Sequence, residues 1–188
     1  MHLEPFHQPG FESDYFRILH VDLNVGDSSA FHNHCTPILY LTVQGTEMWL
    51  QGVDMNQRSV ELPSGWIGSD LYHSDSCFTY RIANIGESQL ILRAVQLKRD
   101  IALPSLPDFQ FRPAYSENGF KVAIISPGEF LAQRIPFWDV ALLWDGVFYD
   151  PDKEIISLGT PVNQTELGTF GFDNSSTPKI AVVRMERK

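Results

Sequence analysis

Apolar and polar residues alternate with a period of two along most of this chain. Over residues 16–25, Leu19, Val21, Leu23 and Val25 fall on one face of an extended segment. Residues 38–43 and 47–50 repeat the pattern around Gln44-Gly45-Thr46, which predicts a hairpin turn. Residues 78–82 lead through Asn84-Ile85-Gly86 into a further apolar run at 90–97. Short strands at this spacing, punctuated by Gly, Pro, Asn and Asp, predict an all-β sandwich or barrel. Helical periodicity is confined to about one turn at 129–133, bracketed by Pro127 and Pro136.

A proline-rich stretch containing Pro104, Pro107 and Pro113 interrupts the strands, and the pattern then restarts. Residues 120–128 resemble the strand that runs into Gly26, residues 139–146 resemble 38–45, and residues 180–186 resemble 90–98. Pairing Gly26 with Gly128 and Asn84 with Asn174 makes the second copy the shorter one, with the loss in its middle. The expected organisation is a first domain over 1–100, a linker over 101–119 and a degenerate second half over 120–188.

Composition narrows the function classes. Of 188 residues, 43% are hydrophobic and 20% charged, as in a soluble globular protein, and the formal net charge is −9. An acidic chain is a poor partner for nucleic acid or anionic membranes, which select basic surfaces. The first residues lack a basic, then apolar, leader, and no apolar run is long enough to span a bilayer. The two cysteines, Cys35 and Cys77, are too few for a disulfide scaffold, so reduced thiols and a cytoplasmic setting are expected, with Cys35 a buried thiol facing away from His34. Asn163-Gln-Thr165 and Asn174-Ser-Ser176 match the glycosylation pattern but read as turn residues.

The chemistry concentrates at Gly26-Asp-Ser-Ser-Ala-Phe-His32-Asn-His34. Two imidazoles two residues apart on a strand share a face, roughly 7 Å apart along the backbone, and can converge on one metal ion or one ligand. The same pair can equally be two polar pocket residues satisfied by hydrogen bonds. His20 is expected to be exposed on its strand, and His2 and His7 to lie in a mobile terminus. Trp66, after Gly65, is placed near a pocket rim.

Gly26, His32, His34 and Gly45 resemble the first motif of the cupin family, and Pro63-Ser-Gly65 and Asn84 resemble the ends of its second motif. The motif's glutamate position falls on Ile38, and its second histidine position on Tyr80. In the second half, the same frame places Arg134 and Pro136 where the first has His32 and His34. The resemblance implies double-stranded β-helix (jelly-roll) barrels, two in tandem, with a site in the first. It implies a divalent metal, Fe, Mn, Ni or Zn, held by His32 and His34. His73, in the loop 69–77, is the candidate third ligand, or a solvated loop histidine. Tyr80 is a candidate ligand or proton donor, or a buried tyrosine bonded to a neighbour. With His73 and Tyr80 as catalytic candidates, the implied function is a metal-dependent dioxygenase, isomerase or lyase acting on a small organic molecule. The alternative is a non-catalytic small-molecule-binding cupin with a degenerate metal site. Many cupins pair through sheet edges, so a homodimer is implied as well.

Overall fold

The structure is a computed structural model and describes residues 5–53, 56–70, 77–98, 108–133, 135, 139–173 and 176–186. The chain divides into two compact units, Met1–Ile101 and Ala102–Lys188.

Unit 1 contains β1 (His7–Glu12), β2 (Phe16–Leu23), β3 (His32–His34), β4 (Ile38–Gln44), β5 (Thr46–Gly52), β6 (Arg58–Leu62), β7 (Ile67–Asp70), β8 (Phe78–Asn84) and β9 (Leu90–Leu97). They form two antiparallel sheets with the orders β1-β2-β9-β4-β7 and β3-β8-β5-β6. Leaving β1 aside, the chain changes sheet at nearly every step, and this interleaving is the jelly-roll, or double-stranded β-helix, topology. The inner faces enclose an apolar cluster with Val21, Leu23, Leu90 and Leu92 from one sheet and Met48, Leu62, Tyr80 and Ile82 from the other. Leu19, Ile38 and Ala94 form a smaller cluster with Tyr40 packed against it.

The alternation correctly places Leu19, Val21 and Leu23 inward, but β2 ends at Leu23 and Val25 is exposed in the following turn. Ile18, Leu39, Leu41 and Val95, on the outer face of the same sheet, are fully buried too. The segment around Gly45 is not a hairpin: β4 and β5 belong to different sheets, so Gly45 is a corner between them. A Cβ there would lie 2.0 Å from the Leu62 carbonyl oxygen, so only glycine lets the backbones approach this closely.

Unit 2 contains β10 (Tyr115–Glu117), β11 (Phe120–Ile125), α1 (Pro127–Ala132), β12 (Val140–Asp145), β13 (Phe148–Tyr149), β14 (Ile155–Ile156), α2 (Gln164–Leu167), β15 (Gly171–Phe172) and β16 (Lys179–Met185). Its sheets run β10-β11-β16-β12 and β14-β13-β15. Setting β11, β12, β13, β14, β15 and β16 against β2, β4, β5, β6, β8 and β9 gives the same neighbours in both sheets. No described strand of unit 2 matches β3 or β7. In chain order the place of β3 is taken by α1, whose start is fixed by a capping box between Ser126 and Glu129. Gly128, expected to mirror the Gly26 turn, lies in this helix instead. Part of the stretch expected as linker is strand: β10 and β11 form a hairpin closed by Asn118-Gly119, both at positive φ, the combination that two-residue turns favour. The core of the unit joins Ile125, Phe130, Leu143, Phe148, Leu167 and Ile180.

Candidate functional site

β3 is a three-residue edge strand held in place from β8. Tyr80 lies directly across from His32 and Phe78 across from His34. Upstream, Asn84 acts as a latch. It is fully buried, its side-chain amide donates to the carbonyls of Leu23 and Ser88, and its carbonyl oxygen accepts from Gly86 N–H. Its backbone pairs with Gly26 and Asp27, where Gly26 takes φ +86° to make the turn into β3. The motif asparagine therefore aims the histidine strand.

Three imidazoles meet inside this barrel. His32 and His34 share the inner face of β3, as the alternation predicts, with ring centroids 5.0 Å apart. The third is His7, whose ring lies 4.3 Å from that of His32 and 5.8 Å from that of His34. One ring nitrogen of each comes within 4.8 Å of the others. His7 is not in a loose terminus. It opens β1 opposite the inward-facing Val21 and is 5% exposed. Its neighbours Pro5, Pro9 and Gly10 read as loop, and the irregularity of β1 between Pro9 and Phe11 hides its pairing from any periodicity argument.

The surroundings of His32 and His34 suit ligation. His32 Nδ1 lies 2.9 Å from the Ala30 carbonyl oxygen, and donation there leaves Nε2 as the lone-pair nitrogen. His34 is 3% exposed, and among the described residues neither of its ring nitrogens has a hydrogen-bond partner. Burial first, then His32, His7 and Arg17, push its pKa down from 6.5 to about 3. It is neutral at pH 7, with a lone pair buried where water does not reach it. Buried polar atoms almost always find partners, so these two nitrogens are candidate ligand atoms.

Tyr80 faces inward as expected, with its ring 4.8 Å from His32 and stacked 5.2 Å from His34. Its hydroxyl pairs with that of Tyr40, 2.8 Å away across the barrel. Burial raises the phenol well above its ordinary range, outweighing the lowering effect of the Tyr40 bond. Without a metal it is therefore a protonated phenol. Ile38, at the motif's glutamate position, is fully buried beside Leu19 and Ala94 and brings no carboxylate. His73, Arg134 and Pro136 lie outside the described residues. Trp66 packs against Gly68, and His20 is half-buried on the outer face of β2. A groove of about 590 Å³ runs past Glu47, Ser59, Glu61 and Ser64 and contains no histidine.

The cysteines are not free thiols. Cys35 and Cys77 form a disulfide, one step beyond the His34–Phe78 pair in the β3–β8 register. Each cysteine adjoins a strand end visible in the sequence, but their pairing depends on which strands are neighbours.

No protein-family model and no curated protein matches the chain. Solved structures match about half of it. A cupin domain from Bordetella pertussis Tohama I aligns over 49% of this chain and 91% of its own length, at 9% identity and a TM-score of 0.44. An RmlC-like cupin family protein with a double-stranded β-helix fold from Methanocaldococcus jannaschii aligns over 46% and 73%, at 20% identity and 0.38. A cupin superfamily protein from Desulfitobacterium hafniense DCB-2 aligns over 46% and 71%, at 21% identity and 0.36. The strand order of unit 1 is itself that of the double-stranded β-helix, the cupin fold, and the histidine cluster is a group able to hold a metal ion. Among the described residues, no helix is long and apolar enough to cross a membrane.

Proposed function

We propose that unit 1 is a metal-dependent cupin enzyme acting on a small organic molecule, with His7, His32 and His34 as its metal ligands. The observation that carries this reading is the buried, neutral His34 with two orphaned ring nitrogens in a cluster of three imidazoles. Three imidazoles suit Zn(II), Fe(II) or Ni(II), while Mn(II) favours the oxygen ligands that Ile38 does not supply. A bound ion of this kind supplies a Lewis acid and an acidified water. Tyr80 holds a proton beside the cluster and Tyr40 orients its hydroxyl, which supports Tyr80 as the donor to a substrate in this reading. Tyr40 in turn packs against the buried Leu19, Ile38 and Ala94. Unit 2, whose strand order lacks the histidine strand, is the degenerate partner of a bicupin in this reading.

A second reading, a non-catalytic ligand-binding cupin, is favoured by the engagement of the Tyr80 hydroxyl with Tyr40 and by the missing carboxylate. Elemental analysis of untagged protein after reconstitution tests both. Stoichiometric metal, lost in His7→Ala, His32→Ala and His34→Ala, is expected, and absence of metal sinks the metal reading. For the cobalt-loaded chain, azide should shift the visible spectrum, because a catalytic site keeps an open coordination position. An unresponsive spectrum favours the second reading.

A further inference from the structure

β3 carries two of the three proposed ligands on a strand of only three residues, at the edge of its sheet, with β8 as its one strand neighbour. Its upstream end is secured without covalent bonds. Ser28 bridges Ala83, Ser29 N–H donates to the Ile82 carbonyl, Ile82 N–H donates to Ser29 Oγ, and Gly26 and Asp27 pair with Asn84. Its downstream end is secured by the Cys35–Cys77 disulfide, one residue from His34. Beyond Cys35, the next backbone tie to a strand is at Pro37, whose carbonyl accepts from Leu97 N–H. Without the disulfide, the end of β3 that bears His34 is held by non-covalent contacts such as the ladder pairing to Phe78, the Thr79–Asn33 side-chain hydrogen bond and the stacking of His34 on Tyr80, and short edge pairings open readily. Cys77 is exposed, so the bond is open to attack from solution.

We propose that Cys35 and Cys77 form a reversible thiol–disulfide clasp that sets the metal affinity of the histidine cluster, tight when oxidised and weak when reduced. The proposal rests on the metal reading of His7, His32 and His34. The reductant is a dithiol protein or small dithiol. One of its thiolates attacks the Cys77 sulfur, the S–S bond breaks, and Cys35 leaves as a thiolate. The second thiol of the reductant, deprotonated, then attacks the mixed disulfide, which closes the reductant's own disulfide and releases Cys77 as a thiolate. Two electrons pass to the chain, and the two cysteine thiolates take up the two protons that the reductant thiols gave up. What changes at the site is preorganisation. Oxidised, the bond holds β3 against β8 with His34 in the cluster; reduced, His34 must be ordered when the metal binds, and that cost appears as lost affinity.

The test uses the full-length chain in three forms: oxidised, reduced and freed of reductant under anaerobic conditions, and a Cys35→Ser, Cys77→Ser double variant. The reduced wild type guards against a variant that does not fold. Zinc affinity is read by competition with a chromophoric chelator, and amide exchange over residues 32–35 by mass spectrometry or NMR without metal. The expected result is zinc binding about tenfold weaker, and exchange in β3 about tenfold faster, in both forms lacking the bond. Equal affinity in all three forms overturns the coupling. Unchanged exchange in β3 overturns the clasp whatever the metal does. A chain that binds no zinc in any form overturns the metal reading and the coupling with it, while the exchange rates still report on the clasp by themselves.

Discussion

At the scale of single residues, His34 shows a conflict between stability and binding. A buried imidazole with no hydrogen-bond partner is a cost in the metal-free chain, of the order of 1–3 kcal/mol for an unsatisfied polar group. Replacing it by an apolar side chain of similar size removes that cost. His34→Leu should therefore stabilise the metal-free protein by about 1–3 kcal/mol in urea unfolding, while removing the stabilisation by zinc that the proposed site predicts for the wild type. A His34→Leu chain less stable than wild type without metal would mean that the imidazole is satisfied in solution. Ile38 shows the converse: an apolar residue at a ligand position joins the core with Leu19 and Ala94, and stability takes the place of ligation.

At the scale of elements, a buried ion pair ties two strands of unit 2 together. In unit 2, Asp139 stands immediately before β12 and meets Arg184 of β16 through two hydrogen bonds of 2.8 and 2.9 Å, with both side chains almost fully buried. Phe109 lies 5.1 Å from the guanidinium carbon. Breaking a buried pair strands a charge, whereas removing both partners does not. Arg184→Met should cost about 3–5 kcal/mol in denaturant unfolding, and Asp139→Asn combined with it should recover much of that loss. An additive double variant would show that the pair is not coupled. The sequence places Asp139 and Arg184 at strand ends without joining them, because antiparallel pairing of β12 with β16 brings together residues far apart in the chain. The histidines divide along the same line. His32 and His34 are legible because strand alternation is local, while His7 is not, because it enters the site through the pairing of β1 with β2.

At the scale of the whole molecule, burial of neutral histidines gives stability a pH dependence of known sign. His34, at about 3, and His20, lowered mainly by burial and then by Arg93, both sit below their ordinary value of 6.5. Below 6.5 the unfolded chain binds protons at these sites that the folded chain refuses, so the stabilisation present above that pH is lost as pH falls. Metal-stripped protein should show urea midpoints that are flat above neutrality and decline from about pH 6.5 downward. In His34→Leu the decline should be shallower, and an identical profile would remove His34 as its source.

The sequence by itself determines the all-β class, the inward face of β2, the shared face of His32 and His34, and a chain reversal near Gly45, because alternation and turn chemistry act over a few residues. Only the tertiary structure decides that Gly45 joins two sheets instead of closing a hairpin. Only it makes His7 the third imidazole, sets Tyr80 hydroxyl to hydroxyl with Tyr40, and joins Cys35 to Cys77 one step beyond His34. In a double-stranded β-helix most strand neighbours are distant in sequence, so the site's membership depends on pairings that no local pattern encodes.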